Sequence, residues 1–254
     1  MIREYYCRAP FQDFGLWKFS RKHFRMELFN HKFLKLNGRR ARLGINDLRF
    51  LSSKYAPLHL YMSVLDYLFP ERVSSKKDTN AYPVGGEFVV DVDSYLYYKN
   101  HDHAFNNYSV CLGCLEISRR LTSQVCDEIS RYYSKFGIVF SGRRGFHIHI
   151  FDFNVKDWSR FDPRNPLRSH ASARFKFLKL LAPTTHVFDR HHFIVSVDPL
   201  RIISVPMSIN GETGLICSFI GNRKDLERRS INSIFEEARP ERYAFNVAPI
   251  PVGK

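Results

Sequence analysis

Apolar positions along the chain repeat with two periods. EFVVDVD (87–93) is a short β-branched run that follows Pro83 and Gly85-Gly86, so it predicts a buried strand. From Cys114 to Phe136, apolar residues at Leu121, Val125, Ile129, Tyr132 and Phe136 recur every three or four positions, which predicts a helix ending at Gly137. IVFS then reads as a strand, GRRG as a tight turn and FHIHIF as a second strand. LRIISVP (200–206) and LICSFI (215–220) flank INGETG as a hairpin would, and RKDLERRSINSIFEEA reads as one charged amphipathic surface helix. Helices and strands alternate without repeats, and no Gly-, Ser- or Pro-rich linker divides them. The expectation is one domain over residues 1–254, of α/β (α+β) class.

Charge sharpens this picture. The chain has 39 Lys and Arg against 25 Asp and Glu, a net charge of +14, which points to a polyanionic partner. Between Lys18 and Arg42 nine Lys/Arg meet one carboxylate, Glu27, and Phe19, Phe24, Phe29, Phe33 and Leu36 interleave with them. That stretch is expected to be a folded basic face. Arg160 to Lys179 is a second basic stretch, read as a loop entering a helix, and both are candidates to line a groove along a phosphate backbone. Five cysteines do not suggest a disulfide framework, and Cys7, Cys126 and Cys217 read as small buried residues. No apolar run is long enough to cross a bilayer, and the start, MIREYYCRAPF, lacks a signal-type apolar region. An intracellular protein with no membrane partner is expected.

Two stretches carry chemistry. Asp91 and Asp93 are two apart on a strand, so they share a face roughly 7 Å apart. Carboxylates placed so repel unless cations separate them, and Mg²⁺ or Mn²⁺ takes such oxygen ligands together with substrate phosphates. A strand that merely ends in acidic surface residues would carry the same string. In SGRRGFHIHIFD (141–152), alternation sets His147 and His149 on one face and Phe146, Ile148 and Ile150 on the other. Arg143 and Arg144 sit in the turn, where guanidinium forks can grip phosphate oxygens. Metal carboxylates in one strand and a phosphate clamp in another suit a nucleoside triphosphate.

EFVVDVD, CLGCLE, a helix, SGRRGFHIHIFD and RIISVPMSINGETG, in this order and spacing, resemble the catalytic small subunit of archaeal and eukaryotic DNA primases. YAPLHLYMSVLDYLFPE (55–71) and SRKHF (20–24) are similar to that family's N-terminal region. The resemblance spans roughly residues 3–220 and looks closer to the archaeal branch. It implies a mixed β-sheet catalytic core flanked by helices, in a cytoplasmic protein of archaeal type or a nuclear one if eukaryotic. It further implies a DNA-directed RNA polymerase of the primase type, making primers on a single-stranded DNA template from nucleoside triphosphates, usually beside a large subunit. Asp91 and Asp93 match its metal-binding aspartates. Ser141, Arg143, Arg144 and His147 match the residues holding the incoming triphosphate, and Arg21 matches a further basic nucleotide contact.

The string also departs from the family's pattern. His192 stands where the third catalytic aspartate is usual, and Asp189 or Asp198 are the alternatives for that ligand. Ser204 replaces a basic residue, and Asn210 stands where histidine is common. These departures keep a second reading open: a primase-like subunit that binds nucleotide and DNA with little or no catalysis. His101, His103, Cys111 and Cys114 form an H-x-H-x₇-C-x-x-C set, in a knuckle-like insertion at about 98–116, that could hold a structural Zn²⁺. The same cysteines could equally begin a helix in the core.

Overall fold

Alternation in FVVDVD and GFHIHI sends Phe88, Val90, Val92, Phe146, Ile148 and Ile150 to one side of a sheet, where all six are fully buried. Val89, Asp91, Asp93, His147 and His149 take the other side. This two-sided sheet is the centre of the computed structural model, which describes residues 2–11, 16–37, 42–73, 80–93, 106–185 and 190–244, with side chains at 182–185, 190–192 and 244 excepted.

The strands are β1 (Phe24–Glu27), β2 (Phe33–Lys35), β3 (His59–Ser63), β4 (Leu65–Tyr67), β5 (Pro83–Gly86), β6 (Phe88–Asp93), β7 (Phe136–Phe140), β8 (Gly145–Ile150), β9 (Ile202–Ser204) and β10 (Phe219–Gly221). The helices are α1 (Ile2–Arg8), α2 (Ile45–Tyr55), α3 (Leu112–Ser130), α4 (Pro166–Thr185), α5 (Arg190–Val197), α6 (Arg223–Arg228), α7 (Ile231–Glu237) and α8 (Glu241–Ala244). Two four-stranded sheets have orders β2-β1-β3-β9 and β10-β7-β8-β6, and β4 pairs with β5. Every pairing is antiparallel.

Two apolar cores follow. One lies between the β6–β8 face and the helices α3, α4, α6 and α7, gathering Leu115, Val125, Ile129, Phe177, Leu226 and Ile234. The other joins the back of that sheet, through Val89 and Val139, to Phe24, Met26, Leu60, Met62 and Ile203 of the first sheet and to Tyr5 and Tyr6 of α1. The mixed α/β class is as expected. No helix is long and apolar enough to cross a membrane among the described residues.

Several local expectations change. Helix α3 stops at Ser130, so Tyr132 is exposed and Phe136 and Gly137 belong to β7. INGETG does make a tight turn, with Ile209 bridging Ile216, but the flanking strands β9 and β10 leave it for different sheets. The C-terminal run splits into α6 and α7, because the Ser230 side chain caps a new helix by accepting from the Ser233 amide. His192 falls in the helix α5, and Asp198 follows its end. In the basic stretch Phe19 and Phe24 are buried while Phe29 and Phe33 are exposed, and residues 38–41 lie outside the described part. Arg174 is buried in the core, so the second basic stretch does not wholly face a groove. Cys126 and Cys217 are buried as expected, but Cys7 is exposed.

Candidate active site

Strands β6 and β8 pair so that Asp91 faces His147 and Asp93 faces Gly145. The carboxylates therefore meet the head of the GRRG turn. Two glycines make that meeting possible. A Cβ on Gly145 would run into the Val92 carbonyl oxygen, and Gly142 has φ +78°, a conformation that L side chains rarely adopt. The Ser141 hydroxyl accepts from the amides of Arg143 and Gly145, both at 3.4 Å, and the Thr213 hydroxyl donates to the Gly142 carbonyl at 2.6 Å. The turn is thus tied to INGETG, which crosses beneath it.

A cleft of about 250 Å³ opens here between the two sheets. It brings together Asp91, Asp93, Ser141, Arg143, Arg144 and His147 with His59, Tyr61, Arg201, Ser204, Asn210 and Glu212. Three carboxylates face three guanidinium groups. Arg201 donates from Nη2 to Asp91 Oδ2 at 2.7 Å, and Arg143 Nη1 lies 2.5 Å from Glu212 Oε2. His147 Nε2 is 3.6 Å from Asp91 Oδ1. Burial pushes the His147 imidazole down to about 3, against the pull of Asp91, so the ring is neutral at neutral pH. Two buried atoms in this wall, His147 Nδ1 and Arg201 Nη1, make no hydrogen bond. Buried donors are normally satisfied, so Arg201 Nη1 fits an anionic ligand, as does His147 Nδ1 in the tautomer that carries its proton there.

The other expected residues separate. His149 is fully buried behind the cleft, its Nδ1 3.2 Å from Glu87 Oε2 and its ring edge-on to Trp17. Asp198 lines an adjoining depression that shares Arg201 with the cleft, and it accepts from the Leu200 amide at 2.9 Å. Asp189 and the His192 side chain lie outside the described part, although α5 reaches β6 where the Asp91 amide donates to Ser196 Oγ at 3.3 Å. Arg21 lines another depression with Lys18 and Gly44. Cys111 and Cys114 are buried at the start of α3, while His101 and His103 lie outside the described part. No cluster of three or more metal-ligating side chains occurs among the described residues.

Reading the sequence missed Arg201, His59 and Tyr61. Arg201 had a signal, since it stands three residues before Ser204 in the same string. A cavity of about 410 Å³ lined by Lys22, Asp66, Glu87 and His170 contains Lys18 and Lys22 of the first basic stretch but none of the candidate metal or nucleotide residues. Its charges already pair with one another, Lys22 Nζ lying 3.1 Å from Asp66 and 3.5 Å from Glu87.

No family model matches the chain. A DNA primase small subunit PriS from Pyrobaculum arsenaticum is 26% identical, over 94% of this chain and 83% of its own length. This chain is similar to archaeal DNA primase small subunits. Another PriS, from Sulfolobus acidocaldarius, is 26% identical over 71% of this chain and 64% of its own. A DNA primase small subunit-like protein from Archaeoglobus fulgidus is 34% identical over 43% of this chain and 33% of its own. Among solved structures, the polymerase domain of Mycobacterium tuberculosis Ligase D, in complex with DNA, superposes with a TM-score of 0.55. It covers 97% of this chain and 92% of the domain at 13% identity, which is a likeness of fold. The likeness in sequence and the likeness of fold both span most of the chain.

Proposed function

We propose that this chain is a primase-type nucleotidyltransferase that extends or starts primers on single-stranded DNA. The observation that carries the reading is the convergence of the Asp91–Asp93 pair and the Ser141–Arg143–Arg144–His147 turn in one cleft. Asp91 and Asp93 are a hard-oxygen pair suited to Mg²⁺ or Mn²⁺. Such cations, when bound, would lower the pKa of an attacking 3′-hydroxyl and neutralise charge at the leaving pyrophosphate. The guanidinium groups of Arg143 and Arg144 hold the triphosphate oxygens and orient the α-phosphate for in-line attack. His147, being neutral, can donate one hydrogen bond to a phosphate oxygen without adding charge. Arg201 holds Asp91 in place through Nη2, and its Nη1 is left to meet the phosphates.

Primer synthesis from labelled nucleotides on single-stranded DNA, with Mg²⁺ or Mn²⁺, tests this. Asp91→Asn with Asp93→Asn should abolish synthesis while the thermal melt remains cooperative. Undiminished synthesis by the folded double variant would place catalysis elsewhere. His192 at the third aspartate's position favours one second reading, a nucleotide- and DNA-binding subunit without turnover. Metal-dependent triphosphate binding with no primer made by the wild-type chain, alone or with a large subunit, would support that instead.

A further inference from the structure

The first sheet presents one face to the apolar core; the other is exposed along β2, half-buried at Arg25, Glu27, Tyr61 and Ser204, and buried at His59. On the outer face, cross-strand pairing aligns Lys35 of β2, Arg25 of β1, Tyr61 of β3 and Ser204 of β9 in one row. A neighbouring row aligns Phe33, Glu27 and His59. Directly paired residues point to the same side of an antiparallel sheet, so these side chains share one surface. The inner ends of both rows, His59, Tyr61 and Ser204, line the cleft. The outer end is the exposed edge strand, where Phe33 is 53% exposed.

Three rings form a continuous ladder between those ends. Tyr61 stacks on His59 with centroids 5.2 Å apart and planes at 17°. It also stacks on Phe33 at 6.4 Å and 27°. Cations flank the ladder: Arg25 lies between β2 and β3, Lys35 is on the edge, and Lys32 is exposed in the hairpin. Glu27, the carboxylate of these rows, is engaged by His31 at 2.7 Å. An exposed ring on an edge strand normally weakens solubility, and here Lys32 and Lys35 flank it along the chain while Glu27 is its cross-strand neighbour.

Aromatic steps with interleaved cations match one ligand chemistry, a strand with exposed bases and a regular run of phosphates. A folded protein partner of opposite charge would be matched by the cations but not by rings stacked in file. We propose that the outer face of the β2-β1-β3-β9 sheet binds single-stranded DNA, with bases stacking on Phe33 and Tyr61 and phosphates on Arg25, Lys32 and Lys35. The rows then lead the strand from the sheet edge into the cleft. This deepens the polymerising role proposed for that cleft, and it names the path of the template.

The test compares a labelled oligothymidylate with an abasic strand of equal length, by fluorescence anisotropy. Phe33→Ala should weaken oligothymidylate binding roughly fivefold or more, the range seen when one stacked base loses its ring. The abasic strand should bind both proteins alike, and Phe33→Trp should restore the thymidylate preference. Lys35→Ala should lower the slope of log affinity against log salt by about 0.7. A circular-dichroism melt controls for folding, since Phe33 is a surface residue. Equal effects on both strands, or no effect on either, would overturn the proposal. Phe33-dependent binding in a wild-type protein that makes no primer would keep this surface and reject the catalytic reading.

Discussion

At the scale of single residues, the cleft stores its charges in pairs of unequal strength. Arg201 and Asp91 are mostly shielded from water, with side-chain exposures of 13% and 20%, whereas Glu212 is 54% exposed. Water screens the Arg143–Glu212 pair, and exposed pairs contribute only about 0.2–1 kcal/mol. Triphosphate oxygens can therefore take Arg143 from Glu212 at small cost. Glu212→Gln should then tighten triphosphate binding by roughly twofold to fivefold, because a competitor is removed. Arg143→Ala should weaken it about tenfold, the loss of one charge-assisted bond. Calorimetry with a non-hydrolysable triphosphate reads both, and tightening by the alanine variant would mean that Arg143 does not face the phosphates.

At the scale of elements, a buried charge cluster holds the strands around the site. Lys22, just before β1, is 2% exposed and reaches Asp66 of β4 at 3.1 Å and Glu87, before β6, at 3.5 Å. Its Nζ also donates to the Val64 carbonyl at 3.0 Å. His149 on β8 closes the cluster against Glu87. Burial by itself raises a carboxyl, yet Lys22 and His149 hold Glu87 below its ordinary range. Lys22→Met would leave two buried carboxylates without their cation, a loss of about 3–5 kcal/mol. Urea unfolding should show that loss, and Lys22→Met combined with Asp66→Leu and Glu87→Gln should recover much of it. A single variant within about 0.5 kcal/mol of wild type would mean the cluster contributes little.

At the scale of the whole molecule, burial of neutral histidines sets the acid limit of stability. Desolvation lowers His23 to about 4 and His170 to about 3. In the unfolded chain both titrate near 6.5, so between there and about 4 the unfolded state binds more protons. Their contribution is complete above about 6.5 and is lost as pH falls. Glu87, with its lowered carboxyl, shifts stability the same way. The melting temperature should drop on the order of 10 °C between pH 7.5 and 4.5. A flat profile would show that these groups are not buried neutral in solution.

Alternation alone settled which face of β6 and β8 carries Asp91, Asp93, His147 and His149, because a period of two leaves a strand no other choice. The string around the turn likewise brought Ser141, Arg143 and Arg144 forward as candidates, which the structure sets in one cleft, and the order of motifs pointed to the class of fold. Alternation could not separate His147 from His149, which share one face; the resemblance singled out His147, and the structure lays Trp17 and Glu87 against His149 while His147 lines the cleft. Nor could it place Arg201, Tyr61 and His59 in one cleft with Asp91, which needs β3 and β9 to pair across about 140 residues and their sheet to pack beside that of β6. Gly137 pointed to a helix end, but packing against Phe219 and Phe151 uses it as a strand position where a Cβ would collide. Periodicity reports what a segment can bury; only the assembled sheets decide what it is buried against.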